Sequence, residues 1–454
     1  MPVRDFSAAC PPEILQRFVA DWEPDDLRMV VAVCTRWRQI LLDAPEYWSS
    51  ATLACVTSGS VNLLLLQLER ARGRPCSLTI CRLEHCGPET SRVLLAVAQY
   101  LPTLKKLGLT ISSDIALLAL EALTFPARML TAFDLTIILS DPPSMRPTVP
   151  VDIFSGDAPQ LTTLVLDNVD LPRTACPALS RVHTLNLAND HPDDEPPHPT
   201  PDIVMHFPDL RRFMVTGKVL LLPSSGVVST TPNATWGGLT DFRIFVRRIY
   251  LERALTLPIE GIDYVQVIYP SIYTTEVLLR HLTGPVGFSA VDYSHVWPGG
   301  LNAEFFEYNG RNCMHGRVRA CLELAESWEE GVTCVSKSIP GIASRIAYFV
   351  IEFAMWQAVV SQLPPLPSLA EVSVTLSGRE ADLSVTCPLL FCASLRCVIM
   401  RATGSSVSIS TTALGRFAST AFGSLSRPLE LVLENTTLIG PHDEIAKYFF
   451  TQQN

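Results

Sequence analysis

The sequence lacks an excess of positive charge: 35 Lys and Arg residues stand against 45 Asp and Glu, and the formal net charge is −10. A protein whose main partner is duplex DNA or an anionic membrane needs a concentrated basic face. Charged residues are few, at 18% of the chain, whereas 48% of the residues are hydrophobic. This composition excludes wholesale disorder, indicates a large buried core, and predicts that neither nucleic acid nor membrane is the main partner.

The sequence also lacks a secretory signal, because its first ten residues, MPVRDFSAAC, contain no long apolar run. Cysteines are present, but there are 13 of them, an odd number without a repeated short spacing. This pattern is typical of reduced, mostly buried thiols rather than of a disulfide framework. We therefore expect a cytoplasmic or nuclear protein.

Catalytic motifs are absent as well: we find no phosphate-binding Gly-Lys-Ser/Thr loop, no dinucleotide fingerprint and no Gly-x-Ser-x-Gly elbow. The pairs Cys81/Cys86 and Cys392/Cys397 are spaced too widely for a zinc knuckle. A proline-rich acidic segment holds His191, Asp193, Asp194 and His198, but its prolines prevent a helix from organising them as metal ligands. We expect no enzyme, no cofactor and no metal, and we interpret His206, His281 and His295 as packed, hydrogen-bonded histidines.

No apolar run is long enough to span a bilayer, which needs about 20 residues. The longest candidate, residues 346–360, is bracketed by Pro340 and Pro364 and interrupted by Glu352 and Gln357. We predict that it forms a buried core helix.

The first 48 residues, in contrast, have strong helical patterning in three phrases. Pro11, Pro12 and Glu13 suit the first turn of a helix, and Pro24 with Asp25 and Asp26 suit a second helix start. Apolar residues then recur at helical spacing in each phrase: Ile14, Leu15, Phe18, Val19 and Trp22; Leu27, Val30, Val31 and Cys34; and Val33, Trp37, Ile40 and Leu41. The pattern predicts a small three-helix bundle that Trp48 closes.

Cys34 lies beside Arg36 and Arg38, so a reactive thiol and a nucleic-acid patch are alternatives to simple packing. The apolar position of Cys34 favours inert burial. Acidic neighbours such as Asp25 and Asp43 disfavour a nucleic-acid patch.

Residues 10–48 resemble an F-box, the helical module through which substrate receptors join Skp–cullin–F-box ubiquitin ligases. Cys10-Pro11-Pro12-Glu13-Ile14-Leu15 matches the family's Leu-Pro-Pro-Glu-Ile-Leu, with Cys10 replacing the leading Leu. Phe18-Val19 takes the place of the family's Ile-Phe pair, Trp22 that of the next Leu, and Asp26-Leu27 matches the Asp-Leu step. Val33-Cys34-Thr35-Arg36-Trp37-Arg38 matches Val-Cys-x-x-Trp-Arg, and Pro45-Glu46-Tyr47-Trp48 matches the Pro-x-Leu-Trp ending.

The resemblance implies an Skp-like adaptor as partner and, through it, a cullin ligase. The residues that it assigns to the adaptor are Pro11, Pro12, Ile14, Leu15, Phe18 and Val19. The residues that it assigns to the F-box core are Trp22, Leu27, Val30, Val33, Cys34, Trp37 and Trp48.

After residue 80 a phrase of the form Leu-x-x-Leu-x-Leu recurs. It is found as Leu104/Leu107/Leu109, Leu130/Phe133/Leu135, Leu161/Leu164/Leu166, Val182/Leu185/Leu187, Leu210/Phe213/Val215, Leu239/Phe242/Ile244, Ile262/Val265/Val267, Leu369/Val372/Val374, Leu395/Val398/Met400 and Leu429/Leu431/Leu433. In the first block most starting positions lie about 20–30 residues apart, close to the period of leucine-rich repeats. The phrase predicts one strand per unit and a curved parallel sheet. An ordinary α/β domain with leucine-rich strands is the alternative.

The phrase LERARGRPCSLTI, residues 68–80, extends the resemblance to F-box-like proteins with degenerate leucine-rich repeats, which are abundant in fungi. The predicted fold is a small α-helical F-box plus an α/β leucine-rich-repeat solenoid. Its parts are a module at 1–53, a linker helix and first strand at 54–80, and an irregular repeat domain at 81–454 with loop insertions near 189–202 and 217–238. Over 282–365, where the phrase nearly disappears, we predict irregular repeats with longer convex-side helices and helical stretches such as CLELAESWEEG.

The function that these features imply is that of a non-catalytic substrate receptor of an Skp–cullin–F-box ubiquitin ligase. The F-box would bind the adaptor, and the repeat domain would bind a protein substrate that the sequence does not specify. One alternative is a repeat scaffold whose F-box no longer serves a ligase. Another is an enzyme with an unrecognised site.

Overall fold

We describe the protein from a computed structural model, which divides into two compact units, Met1–Gly238 and Leu239–Asn454. The residues that the structure describes are 11–18, 32, 34–43, 45–139, 146–189, 203–217, 238–246, 259–268, 272–292, 300–308, 317–324, 332, 336–376, 383, 387–403, 406–424 and 427–451. The predicted loop insertions at 189–202 and 217–238, apart from residues 189, 217 and 238, lie outside these ranges, as do His191, Asp193, Asp194, His198 and His295.

The chain alternates between helices and strands over most of its length. The helices are α1 (Pro12–Phe18), α2 (Thr35–Asp43), α3 (Ser58–Arg70), α4 (Pro88–Tyr100), α5 (Ala116–Ala122), α6 (Ile203–His206), α7 (Ile272–Arg280), α8 (Trp356–Val360) and α9 (Thr411–Ala421). The strands of the first unit are β1 (Ser50–Leu53), β2 (Cys76–Leu83), β3 (Leu104–Ser112), β4 (Ala132–Ile138), β5 (Thr163–Asp167), β6 (Thr184–Asn189) and β7 (Arg212–Gly217). The strands of the second unit are β8 (Asp241–Val246), β9 (Tyr264–Ile268), β10 (Val286–Asp292), β11 (Gly300–Glu307), β12 (Val318–Leu324), β13 (Ile346–Glu352), β14 (Glu371–Leu376), β15 (Cys397–Ala402), β16 (Val407–Ser410), β17 (Leu429–Glu434), β18 (Thr436–Ile439) and β19 (Phe449–Thr451).

The first unit contains a parallel sheet whose strands pair in chain order from β1 to β7. The repeated phrase sets the register: Leu107 lies opposite Phe133, and Phe133 lies opposite Leu164. These side chains are buried on one face of the sheet, as the alternation of a strand requires. Helices connect several strands, and the α/β class with a parallel sheet, predicted from the phrase, is confirmed for this unit.

Local signals explain the connecting segments. Helix α3 begins at a capping box, in which Thr57 Oγ1 accepts a hydrogen bond from Ser60 N and Ser60 Oγ accepts one from Thr57 N. After β5, Asn168 adopts a left-handed backbone with φ of 58°, and its side-chain amide donates to Ile137 O of the preceding strand. An Asn tolerates this conformation better than most residues, which suits it to a turn that leaves a sheet.

The second unit holds a mostly parallel sheet in the order β8-β9-β12-β11-β10-β13-β14-β15-β17-β19. Among these paired strands, β11 is antiparallel to both of its neighbours. The hairpin β11–β12 lies between β9 and β10 in the sheet, with β12 paired to β9 and β11 paired to β10. The other side of β10 pairs with β13. A separate pair, β16 and β18, is also parallel.

The prediction of one core helix over residues 346–360 is wrong. Residues 346–352 form strand β13, a short 3₁₀ turn covers Phe353–Met355, and only residues 356–360 form helix α8. The first part of the run, IAYFVIE, is rich in β-branched and aromatic residues, and it pairs with a strand on each side. A central strand buried on both faces has a continuous apolar run, which periodicity alone does not separate from a buried helix.

The prediction of longer convex-side helices over residues 282–365 is also wrong for the described part of that range. Residues 318–324, which include the start of CLELAESWEEG, form strand β12, and the hairpin β11–β12 replaces the expected repeats. The remainder of that stretch, residues 325–331, lies outside the described residues. Pairing between strands that are distant in sequence determines the structure of residues 318–324, because β12 pairs with β9 as well as with β11. The pattern of a single segment does not reveal such pairing.

Candidate functional site

The N-terminal residues assigned to an adaptor lie on and beside helix α1. Pro11, Pro12 and Glu13 are exposed, and the side chain of Ile14 is 56% exposed. The backbone N–H of Ile14 donates to Pro11 O at 3.1 Å, which closes the first turn. Leu15 and Phe18 belong to this helix, whereas Val19 lies outside the described residues. Helix α1 therefore begins with an exposed surface of two prolines and one large apolar side chain.

The residues assigned to the F-box core are described only in part. Trp22, Leu27, Val30 and Val33 lie outside the described residues. Cys34 is half-buried and lies one residue before helix α2, where its carbonyl accepts a hydrogen bond from Arg38 N at 3.0 Å. Trp37 lies within α2 and is also half-buried. Helix α2 packs against α1, so the two described helices of the module are in contact.

Trp48 joins this module to the sheet. Its side chain is buried, its indole Nε1–H donates to Leu42 O at 2.9 Å, and its ring packs edge-to-face on Tyr47. The Arg70 guanidinium lies over the same ring at 5.2 Å from its centroid, a cation–π arrangement. Trp48 thus contacts both α2 and the end of α3, and it fixes the module against the first connecting helix.

The strand that follows Trp48 already belongs to the sheet. Residues 50–53 form β1, which pairs with β2 in parallel, and Ser77 N donates to Ser49 O at 2.8 Å. The prediction had placed these residues in the helical module and the first strand at 76–80. The sheet therefore begins one strand earlier, because the short SATL segment alternates in burial and adds to the edge of β2.

The open face of the first sheet is the second candidate surface. The residue between the last two apolar positions of each phrase points away from the core. One row across the sheet consists of Thr79, Gly108, Asp134, Val165, Asn186 and Met214. The next row is Thr110, Thr136, Asp167, Ala188 and Thr216. Partial burial raises the pKa of Asp134, while a hydrogen bond from Thr136 acts in the opposite direction.

These residues were not among the predicted site residues, although the sequence contains a signal for them. It is the single variable position inside Leu-x-Leu, which must face away from the leucines on either side of it. Most of the side chains that the two rows contribute are small or polar. The surface can therefore offer hydrogen bonds to an extended partner.

The corresponding face of the second unit is apolar in its middle. Phe306, Tyr348, Cys397 and Ile399 form a buried cluster, on which Tyr308, Val318, Val350 and Val432 pack. Burial raises the pKa of Tyr348. Beside the cluster, Arg401 forms an ion pair with Glu434, whose hydrogen bond raises the pKa of Arg401.

Two buried ionisable side chains, His206 and Arg319, have hydrogen-bond partners. His206 is buried; its Nδ1 accepts from Cys176 N at 3.3 Å, and its Nε2 lies 2.9 Å from Pro172 O. The prediction of a packed, hydrogen-bonded histidine is confirmed for His206. Arg319 is buried and donates to the carbonyls of Ile262 and Val318, and desolvation lowers its pKa to about 10.

His281 is nearly buried, and desolvation lowers its pKa. Four cysteines form the two closely spaced pairs in the sequence. Cys81 and Cys86 are exposed, Cys397 is buried, and burial raises the pKa of Cys392 to about 12.

Within the described ranges there is no group of three or more His, Cys, Asp or Glu residues that could hold a metal ion. In the same residues, no helix has the length and apolar character to cross a membrane.

No protein-family model matches the chain, and a search of curated proteins gives no match.

Proposed function

We propose that this protein is a non-catalytic substrate receptor of an Skp–cullin–F-box ubiquitin ligase. Residues 10–48 bind an Skp-like adaptor, and the sheet-containing remainder binds a protein target. The receptor supplies no chemical residue. It raises the rate of ubiquitin transfer by holding the target near the ubiquitin donor.

The single observation that carries the adaptor proposal is the match of residues 10–48 to the F-box pattern at every spacing. The geometry of α1 supports it, because the residues expected to contact the adaptor begin with exposed Pro11, Pro12 and Ile14. An exposed large apolar side chain at a helix start is a surface that a partner can bury with a gain in free energy. Trp48 holds the module to the following helix, so a bound adaptor would be coupled to the rest of the chain.

We further propose that the parallel strands belong to a leucine-rich-repeat solenoid. Support comes from the register of the phrase: each set of apolar residues pairs with the corresponding set of the next strand, as in Leu109, Leu135, Leu166, Leu187 and Val215. Stacked units of this kind bury a continuous core that a single unit could not form.

The target-binding surface that we propose is the open face of the first sheet. Its two rows of small and polar side chains lie in register across neighbouring strands, and a carboxylate lies in each row, Asp134 and Asp167. Such a face can accept hydrogen bonds from a partner and attract a basic one.

Co-purification of the full chain with an Skp-like adaptor and a cullin tests the proposal. Two variants address the module: Ile14→Asp, and the double change Pro12→Ala with Leu15→Asp. We expect each to weaken adaptor binding at least about 30-fold, the loss that defines a hot spot of an interface. The matched control is Ile439→Asp with Pro441→Ala, an exposed pair in the second unit that should bind the adaptor like the unmodified chain.

Failure of the unmodified chain to capture adaptor and cullin would refute the ligase function. A repeat scaffold whose F-box has drifted would then be the better interpretation, and proximity labelling in cells would be the way to find its partners. The alternative of an enzyme would be supported only by a pocket in which titratable groups converge.

A further inference from the structure

The outer sides of three consecutive helices in the first unit expose an unusual number of large apolar side chains. They are Leu63 and Leu66 on α3, Leu95 on α4, Leu117 and Leu118 on α5, and Phe125 just after α5. Leu95 and Leu117 are the most exposed, at 69% and 71%. We call these six side chains the outer helix face.

The outer helix face is one surface because its helices lie side by side. Ser58 Oγ donates to Glu89 Oε1 at 2.5 Å, and Arg92 Nη2 donates to Asn62 Oδ1 at 2.7 Å. These two hydrogen bonds join α3 and α4 at successive turns. Helix α4 in turn packs against α5.

The area of the outer helix face lies at the upper end of the range for apolar patches on monomers. The six exposed fractions amount to about three fully exposed large residues, or roughly 600 Å² at about 200 Å² for each. The largest apolar patch on a typical monomer is about 300–600 Å². A standard interface buries roughly 800 Å² per partner, and about 65% of a homodimer interface is apolar. The six side chains alone therefore supply most of the apolar area that a stable homodimer needs.

We propose that the outer helix face is the interface of a homodimer of this chain. A twofold interface brings the same patch of both copies together, and apolar groups satisfy this condition without any charge complement. The neighbouring charges Glu89 and Arg92 form an ion pair within the chain. A net charge of −10 disfavours an anionic membrane surface as the alternative partner.

Light scattering coupled to size-exclusion chromatography of the full chain tests this proposal. Standard interfaces have dissociation constants in the range of about 1 µM or tighter, so a loading concentration of about 100 µM should give a dimer mass. Leu95→Glu on α4 and Leu117→Glu on α5 should each weaken dimerisation at least about 30-fold. Both side chains are mostly exposed, so circular dichroism and the Tm extrapolated to low concentration should be unchanged.

The matched control is Phe391→Glu, which alters a large apolar residue that is also mostly exposed, but in the second unit, and should leave the dimer intact. Ile14→Asp should also remain dimeric, so failure of the adaptor proposal is distinguishable from failure of this one. A monomer mass at about 100 µM would overturn the homodimer. It would also be overturned if both glutamate variants stayed dimeric, or if a monomeric chain bound neutral phosphatidylcholine vesicles through Leu95.

Discussion

Replacing Gly287 by Ala tests the packing of the hairpin against β10. Gly287 lies directly opposite Phe306 in the β10–β11 register, and the Phe306 ring lies over the glycine. A Cβ atom added at Gly287 would lie 2.1 Å from Phe306 Cε2 and 2.3 Å from its Cζ. Real contacts of this kind do not occur, so the ring must move away from its place beside Tyr348.

The displacement of the Phe306 ring sets the expected loss in the free energy of unfolding. Overpacking a core costs about 1–3 kcal/mol, and loss of an aromatic pair costs about 0.5–1.5 kcal/mol. Replacing a strand glycine by alanine otherwise stabilises by roughly 0.5–1 kcal/mol, because the unfolded chain loses freedom. We expect Gly287→Ala to lower the free energy of unfolding by about 2 kcal/mol, the balance of these effects.

Urea unfolding followed by circular dichroism measures this change, and a double-mutant cycle identifies its cause. In a Phe306→Ala background the obstacle is absent, so Gly287→Ala should cost little or become stabilising. The control is Gly261→Ala, since a Cβ at Gly261 meets no atom within 4 Å. If Gly287→Ala cost the same with and without the Phe306 ring, the packing argument would be refuted.

Two further predictions concern buried polar groups. Desolvation lowers the pKa of His281 in the folded state; the unfolded chain therefore binds the proton more readily, and stability should fall as pH drops below the unfolded value of about 6.5. Thermal unfolding across that range should show a smaller slope for His281→Gln than for the unmodified chain. Asn168→Ala should lower the free energy of unfolding by about 1–3 kcal/mol, through loss of the bond to Ile137 O and a strained left-handed backbone. Asn168→Gly should cost less in urea unfolding, because glycine adopts that backbone freely; equal costs would contradict a role for the positive φ.

A homodimeric receptor would bind some targets more tightly than a monomer. A homodimer formed through the outer helix face would carry two N-terminal modules and two target-binding faces. A target with two binding segments could then engage both copies, and its second contact would be intramolecular. Tighter binding of a two-segment peptide than of either segment alone would be the sign of this arrangement, and Leu95→Glu should remove it.

Much of the sheet was predictable from the phrase alone. Leu107, Phe133 and Leu164 each lie at the predicted buried position of a parallel strand, because apolar burial on one face requires a period of two and a fixed register. The residues on the other face, such as Asp134 and Asn186, follow from the same alternation once the strands are known. Hairpin β11–β12 was not predictable, since Phe306 gains its place by contacts with Gly287 and Tyr348, which are distant in sequence.

The amino-acid sequence by itself determined the α/β class, the parallel strands that carry the phrase and the helical start at Pro12, because local periodicity and proline stereochemistry suffice for these. Only the tertiary structure decided that residues 346–352 form a strand and that residues 50–53 form the first strand of the sheet. It also decided that Leu63, Leu95 and Leu117 remain uncovered. Their leucine-rich helices have more apolar residues than one buried face can hold, and which of them stay exposed depends on how neighbouring helices pack.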